Sequence, residues 1–430
     1  MTTSFPRRPI RRDRCRPRRL VDVPLLPVPP ADQPGAVDWV RRHLGGLTRE
    51  PRVTASTFLG GQEAADAALA GLDVTGYAST RSAVLPRSAR GASRMSPYIR
   101  HGLVALPEVW SAVAGAPERD RVKYRDELLW QEYARHLYSR LGGKTARPLR
   151  HRQPSTGTAW SGEPWRQDMA CLAAVVAELR EDGWLVNQTR MWLASQWAVR
   201  AGANWAAGED EMFAHLVDGS RAANRLGWQW TVGTGSDKPY GFSRWQVRRR
   251  APSLCESCAL AENCPVESWP DARPGAPVDG PDLGRAPIPA GPARVEGGGG
   301  EVVWLTAESL GDRDPALAAV PDRPAVFVFD EPLLARLRLA GTRLVFLAQT
   351  LGELATTRPL EVRLGRPEVE LADLPLAATW TPVPGWHRLA RLARPVEVHP
   401  WPWLARPGTF TLRSFSAWRR DVGRSDSPIG

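Results

Sequence analysis

Three groups of residues have types and spacings that could do chemistry. In the first, Asp218-Gly-Ser220-Arg-Ala-Ala-Asn224-Arg-Leu-Gly-Trp228-Gln-Trp230 is followed by Gly233-Thr-Gly-Ser-Asp237-Lys-Pro239-Tyr240. An acidic residue, a small-residue turn and a neutral amide six positions later can seat the polar edge of a ring beside aromatic walls. The second group, Cys255-Glu-Ser-Cys258-Ala-Leu-Ala-Glu-Asn-Cys264-Pro265, is a C-x2-C-x5-C run, with Cys171 far upstream in Asp168-Met-Ala-Cys171. Closely spaced cysteines in a reducing cell usually bind zinc or an iron–sulfur cluster, and spacing alone does not choose between them. The third group is basic: eight arginines crowd among prolines between Arg7 and Arg19, and Arg244, Arg248, Arg249 and Arg250 form a shorter run that could clamp phosphates.

The elements that must position these groups fall into two parts. A chain of 430 residues exceeds what one hydrophobic core usually serves, so two domains are expected. At 43% hydrophobic and 24% charged the composition is globular, and no apolar run reaches the roughly 18 residues of a membrane span. A formal charge of +11 favours a polyanionic partner such as nucleic acid. Five unevenly placed cysteines make no disulfide framework, which predicts a reducing, cytoplasmic setting, and Cys15 is expected to be free. Residues 1–37 read as a basic disordered arm, and 38–269 carry helix-period patterns, as where Leu129, Tyr133, Leu137 and Leu141 recur before Gly142-Gly143. A Pro/Gly stretch over 270–300 reads as a linker. From 301 to 420 short β runs (302–305, 325–330, 360–365, 396–400) alternate with helical candidates such as Thr342 to Ala355, predicting a parallel α/β domain before a tail at 421–430.

The Asp218 to Tyr240 segment strongly resembles the flavin-binding signature of the photolyase/cryptochrome family. Other blocks agree in the order of that family's helical domain. Phe58-Leu-Gly60-Gly61-Gln-Glu63 resembles its Gly-Gly-Glu segment, and Ala92-Ser93-Arg94-Met95-Ser96-Pro97-Tyr98 its phosphate clamp. Glu127-Leu-Leu-Trp130-Gln131-Glu132-Tyr133 and Gly183-Trp184-Leu-Val186-Asn187-Gln188-Thr-Arg190-Met191 resemble two of its helices. The resemblance spans roughly residues 58 to 245.

The resemblance implies an all-α domain that binds FAD. Ser93, Arg94, Met95 and Ser96 would contact the pyrophosphate, with backbone N–H groups and hydroxyls holding an anion near a helix start. Arg190 and Asp218 would pair beneath the isoalloxazine, Asn224 would face its N5, and Tyr77, Tyr124, Gln131 and Ser220 would complete the cofactor contacts. Glu127, Trp130, Asn187, Met191 and Trp230 match positions that line the family's lesion cavity. Helical spacing supports this, since Glu127 and Trp130 share one face and Asn187 and Met191 another. Trp228 and Trp205 fall on two steps of the family's electron-transfer chain; Trp160, Trp165 and Trp197 are candidates for a third.

The cysteine layout resembles the family's iron–sulfur bacterial branch, which implies that Cys171, Cys255, Cys258 and Cys264 hold a four-iron, four-sulfur cluster. Val302 to Leu305 with Asp314-Pro315-Ala316-Leu317 resembles the opening of the family's Rossmann-like α/β antenna domain. That domain normally comes first, so the order looks circularly permuted, with an antenna pigment unknown. The implied activity is repair of cyclobutane pyrimidine dimers by light-driven electron transfer from reduced flavin, on damaged DNA, single- or double-stranded, by a monomer without a membrane. Val186, where a histidine is usual, turns the reading away from (6-4) photoproducts. The alternative is a cryptochrome-like blue-light receptor without repair activity.

Overall fold

The structure, a computed structural model, describes residues 25–154, 162–383 and 385–424. Helices build the first part. Helix α1 (Gln33–Leu44) starts where the Asp32 side chain accepts from Gly35 N, and buries Ala36, Trp39, Val40 and Leu44. The long α2 (Glu118–Leu141) carries Glu118 and Asp120 in its first turn and ends at Gly142, whose φ of 52° is one that glycine adopts without a Cβ clash. It begins ahead of the apolar pattern noted above because its first two turns are highly charged and hide their periodicity.

Next come α3 (Ala170–Asp182), ended by Gly183 in the left-handed region, and α4 (Asn187–Ala194), which runs into a π-helical turn over Ser195–Arg200. Helices α5 (Trp205–His215), α6 (Arg221–Val232) and α7 (Arg244–Arg250) complete the frame of the site.

The second part is a six-stranded sheet with helices. Its strands are β1 (Glu296–Gly297), β2 (Val302–Leu305), β3 (Ala325–Asp330), β4 (Leu360–Gly365), β5 (Leu376–Thr379) and β6 (Glu397–His399). They lie in the order β1-β6-β5-β2-β3-β4, with only β1 antiparallel to its neighbour. The chain thus runs outward through β2, β3 and β4, then returns beside β2 to lay down β5 and β6. The apolar run of β3 is buried on both faces, as expected for an inner parallel strand.

Helix α8 (Gly341–Thr357), buried along nearly its whole first three turns, packs into the helical part, and α9 (Phe415–Val422) lies on α2. Two glycines make the first contact possible. A Cβ on Gly60 would stand 2.3 Å from the Phe346 carbonyl oxygen, and Gly61 N donates to Thr350 Oγ1 at 3.1 Å. On the second contact Tyr133 Oη donates to the Leu412 carbonyl, and Trp418 Nε1 to His136 Nδ1.

Two expected boundaries need correction. The arm does not extend to 37: Leu26 N donates to Val362 O at 3.0 Å, and Gly352 lets Pro29 and Pro30 lie close against α8. Residues 1–24, including Cys15, and 425–430 of the tail lie outside the described residues. The 270–300 stretch is no free spacer either. Val278 N donates to Arg150 O, Arg152 N to Ala276 O, Leu283 and Ile288 are buried, and Ala286–Pro287 pairs with Thr409–Phe410. Proline and glycine suit such a strap because it runs extended and close to backbone; a Cβ on Gly275 or Gly280 would meet a carbonyl oxygen at 2.1 or 2.2 Å.

Candidate functional site

A cavity of about 250 Å³ opens among α2, α4 and α6. Tyr77, Ser93, Arg94, Met95, Ser96, Tyr124, Gln131, Arg190, Asp218, Ser220 and Asn224 all line it, as do Glu127, Trp130, Asn187, Met191 and Trp228. The local geometry follows from the segments that carry them. Arg94 has a φ of 57°, which turns the 93–96 segment inward, and its guanidinium sits 4.2 Å over the Phe58 ring. Ser96 Oγ accepts from Trp184 Nε1 at 2.9 Å, and Ser93 Oγ from Tyr124 Oη at 3.1 Å. Burial pushes the Tyr124 hydroxyl up to about 12, so it remains a donor.

At the base of the cavity Arg190 Nη2 donates to Asp218 Oδ2 at 2.7 Å. Asp218 Oδ1 is buried with no hydrogen-bond partner, and so is Trp228 Nε1. Buried polar atoms are seldom left unpaired, so an acceptor and a donor await a polar occupant here. Asn224 turns its amide nitrogen to Glu209 Oε1 at 2.7 Å, and Glu209 is itself held by Arg221 and Arg225. Toward the mouth, Glu127 pairs with Arg81 and Lys123, each at 3.1 Å, while Trp130 stacks edge-on against Phe415, 5.3 Å between centroids.

Trp230 departs from expectation. It does not line the cavity: it is exposed and its ring lies 5.9 Å from Tyr240. The cause is helical phase, since two residues beyond the inward Trp228 a side chain on α6 points about 200° away. Trp205 is buried on α5. Behind the cavity wall the rings of Trp228 and Trp197 both come within 2.7 Å of the point where a Cβ on Gly208 would sit, so they are neighbours across that glycine. Trp165 continues the series, 4.9 Å from Trp197. Trp160 lies outside the described residues.

Cys171, Cys255, Cys258 and Cys264 are all free and line one second, small cavity together with Met169, Arg244 and Leu254. Burial, reinforced by the other three thiols, pushes Cys171 up to about 12. Among the described residues no three His, Cys, Asp or Glu side chains close on a single point as they would around one metal ion.

A family model, the FAD binding domain of DNA photolyase, matches residues 124–252, the stretch that supplies most of the cavity wall. Over that stretch the chain is similar to the photolyase/cryptochrome family. Its relatives include the deoxyribodipyrimidine photo-lyase of Thermus thermophilus, 35% identical over 201 residues that make up 41% of this chain and 44% of the relative. That of Synechococcus is 29% identical over 168 residues, 34% of this chain and 33% of the relative. The chain therefore matches less than half the length of these curated relatives. Among solved structures, a Synechocystis sp. PCC6803 cryptochrome aligns at 21% identity with a TM-score of 0.40, covering 47% of this chain and 46% of that one. Among the described residues no helix is long and apolar enough to cross a membrane.

Several residues of this site have no signal in the sequence motifs. Glu209, which fixes Asn224, lies fifteen residues before it on another helix. Glu308, Val383 and Trp401 reach the cavity from the α/β part. Glu308 is buried and pairs with Arg100 at 2.7 Å; burial raises its carboxyl, and Arg100 draws it back. No motif links these residues.

Proposed function

We propose that this protein is an FAD-dependent photolyase that repairs cyclobutane pyrimidine dimers. One observation carries the reading: residues chosen by motif alone, from segments 77–131 and 187–224, line a single cavity whose floor holds an Arg190–Asp218 pair and an unpartnered acidic oxygen. These donors and acceptors fit the flavin. Ser93 to Ser96 would hold its pyrophosphate, Arg190 with Asp218 would hold the ring edge, and Asn224, oriented by Glu209, would present an amide without adding charge. When bound and reduced, the flavin supplies a light-excited electron to the dimer, which returns it once the cyclobutane bonds have opened. Glu127, Trp130, Asn187 and Met191 would shape the mouth for an extruded base pair, with an indole face to stack on and polar groups to read its edge. Trp228 and Trp205 would reload the flavin, and Trp197 with Trp165, next to Trp228 across Gly208, supply candidates for a further step.

The same reading extends to the rest of the chain. Four thiols around one hollow support a four-iron, four-sulfur cluster held by Cys171, Cys255, Cys258 and Cys264, since thiolate ligands on a cuboidal cluster stand further apart than on one ion. The strand order, with its reversal between β2 and β5, supports a Rossmann-like antenna-type domain moved behind the helical domain. The protein would act as a monomer on DNA in the cytoplasm. Anaerobic illumination with dimer-containing DNA tests the proposal: lesions are expected to disappear. An unchanged lesion count alongside a photoreduced flavin would instead make it a blue-light receptor.

A further inference from the structure

Among the described residues only three tryptophans are exposed, and they share one strip of surface. Trp230, Trp245 and Trp269 show 42%, 54% and 52% of their area to solvent. Contiguous exposed aromatics are rare on a protein surface and mark a place where something binds. The strip is continuous. Trp230 packs on Tyr240; the next residue, Gly241, admits Trp269, whose Cε3 lies 2.7 Å from where a Cβ would stand; and Trp269 lies 6.1 Å from Trp245. Arg249, on the same helix as Trp245, holds its guanidinium 5.3 Å over that ring, and Arg248 beside it is exposed.

The strip also meets the cavity. Tyr240 Oη accepts from Gln188 Nε2 at 2.8 Å, and Asn187, the preceding residue, lines the cavity mouth. A partner for this surface must offer repeated flat faces and negative charge together. Unpaired bases on a phosphodiester chain do so; a duplex keeps its base faces stacked, and an acidic peptide has no such faces. We propose that Trp230, Trp269 and Trp245 stack the unpaired bases of single-stranded DNA leading from the cavity mouth, with Arg248 and Arg249 meeting its phosphates. The inference rests on nucleic acid being the partner, as in the repair reading, but not on flavin chemistry.

Binding of a labelled oligothymidylate to the full-length protein tests it. Trp245→Ala and Trp269→Ala should each weaken binding about tenfold, whereas Trp245→Phe keeps most of the affinity and all variants keep the flavin absorption and open dimers in duplex DNA. Trp245 is the most exposed of the three, so its removal is the variant least able to disturb folding. Unchanged affinity in the doubly substituted protein would overturn the proposal, as would polyglutamate displacing the oligonucleotide as well as unlabelled strand does. Wild-type protein that binds through these tryptophans yet opens no dimer would uphold the strip and sink the repair reading alone.

Discussion

The helical part and the α/β part bury charge in opposite ways. In the helical part, buried charged and polar groups gather round a hollow: Asp218 keeps one oxygen unpaired, and Glu209 spends its carboxylate on Asn224 and two arginines. In the α/β part, two buried carboxylates are closed on groups of that same part. Glu397 takes Arg323, His399 and Gly300 N, and Asp314 accepts from Thr379 and the first turn of a helix. Open-ended polar groups point to a ligand, whereas satisfied ones hold a fold. Glu308 crosses this division, being an α/β residue spent on the helical part's cavity.

The largest effect that would break this contrast lies at Asp218. Asp218→Ala removes the open acceptor and strands Arg190, so bound flavin should fall by about two orders of magnitude, read from the visible absorption of the purified protein. Undiminished colour would mean the open oxygen is not a ligand contact.

The seam between the parts gives the next. Burial raises the Glu132 carboxyl to about 7, against the pull of Arg135, while its Oε1 accepts from Ala405 N. A raised folded value means the native state holds that proton more tightly than the unfolded chain. Stability from this group is therefore complete below about pH 4.5 and is lost as pH rises through 7, by roughly 3 kcal/mol in all. Thermal midpoints should drop across that window in the wild type and far less in Glu132→Gln. Parallel curves would show that the seam does not titrate.

The smallest effect is steric. Gly60→Ala drives a methyl group into the Phe346 carbonyl and should cost about 1–3 kcal/mol, measured by denaturant unfolding, by prising α8 from the helical part. A neutral result would mean the two parts adjust to each other freely.

Much of the helical site was legible because its residues come in short runs. Ser93 to Ser96, Glu127 with Trp130, and Asp218 with Asn224 each lie close in sequence and reach one cavity, although their partners Tyr124, Trp184, Arg190 and Glu209 come from other segments. Trp230, which the resemblance places at the lesion cavity, points elsewhere because residues two apart on a helix face apart and Trp228 is the one turned inward. The 270–300 strap was misread for a different reason: proline and glycine serve a flexible spacer and a tightly apposed extended strand equally well.

By itself the sequence determined two parts of different class, the strands at 302–305, 325–330 and 360–365, a flavin-type pocket, and four cysteines with metal-binding spacing. Tertiary structure alone decided that Glu209 orients Asn224, that Glu308, Val383 and Trp401 close the cavity from the far part, and that Trp197 meets Trp228 across Gly208. The reason is common to all three: periodicity tells which way a side chain points from its own element, but which element it meets is set by how helices and sheet pack.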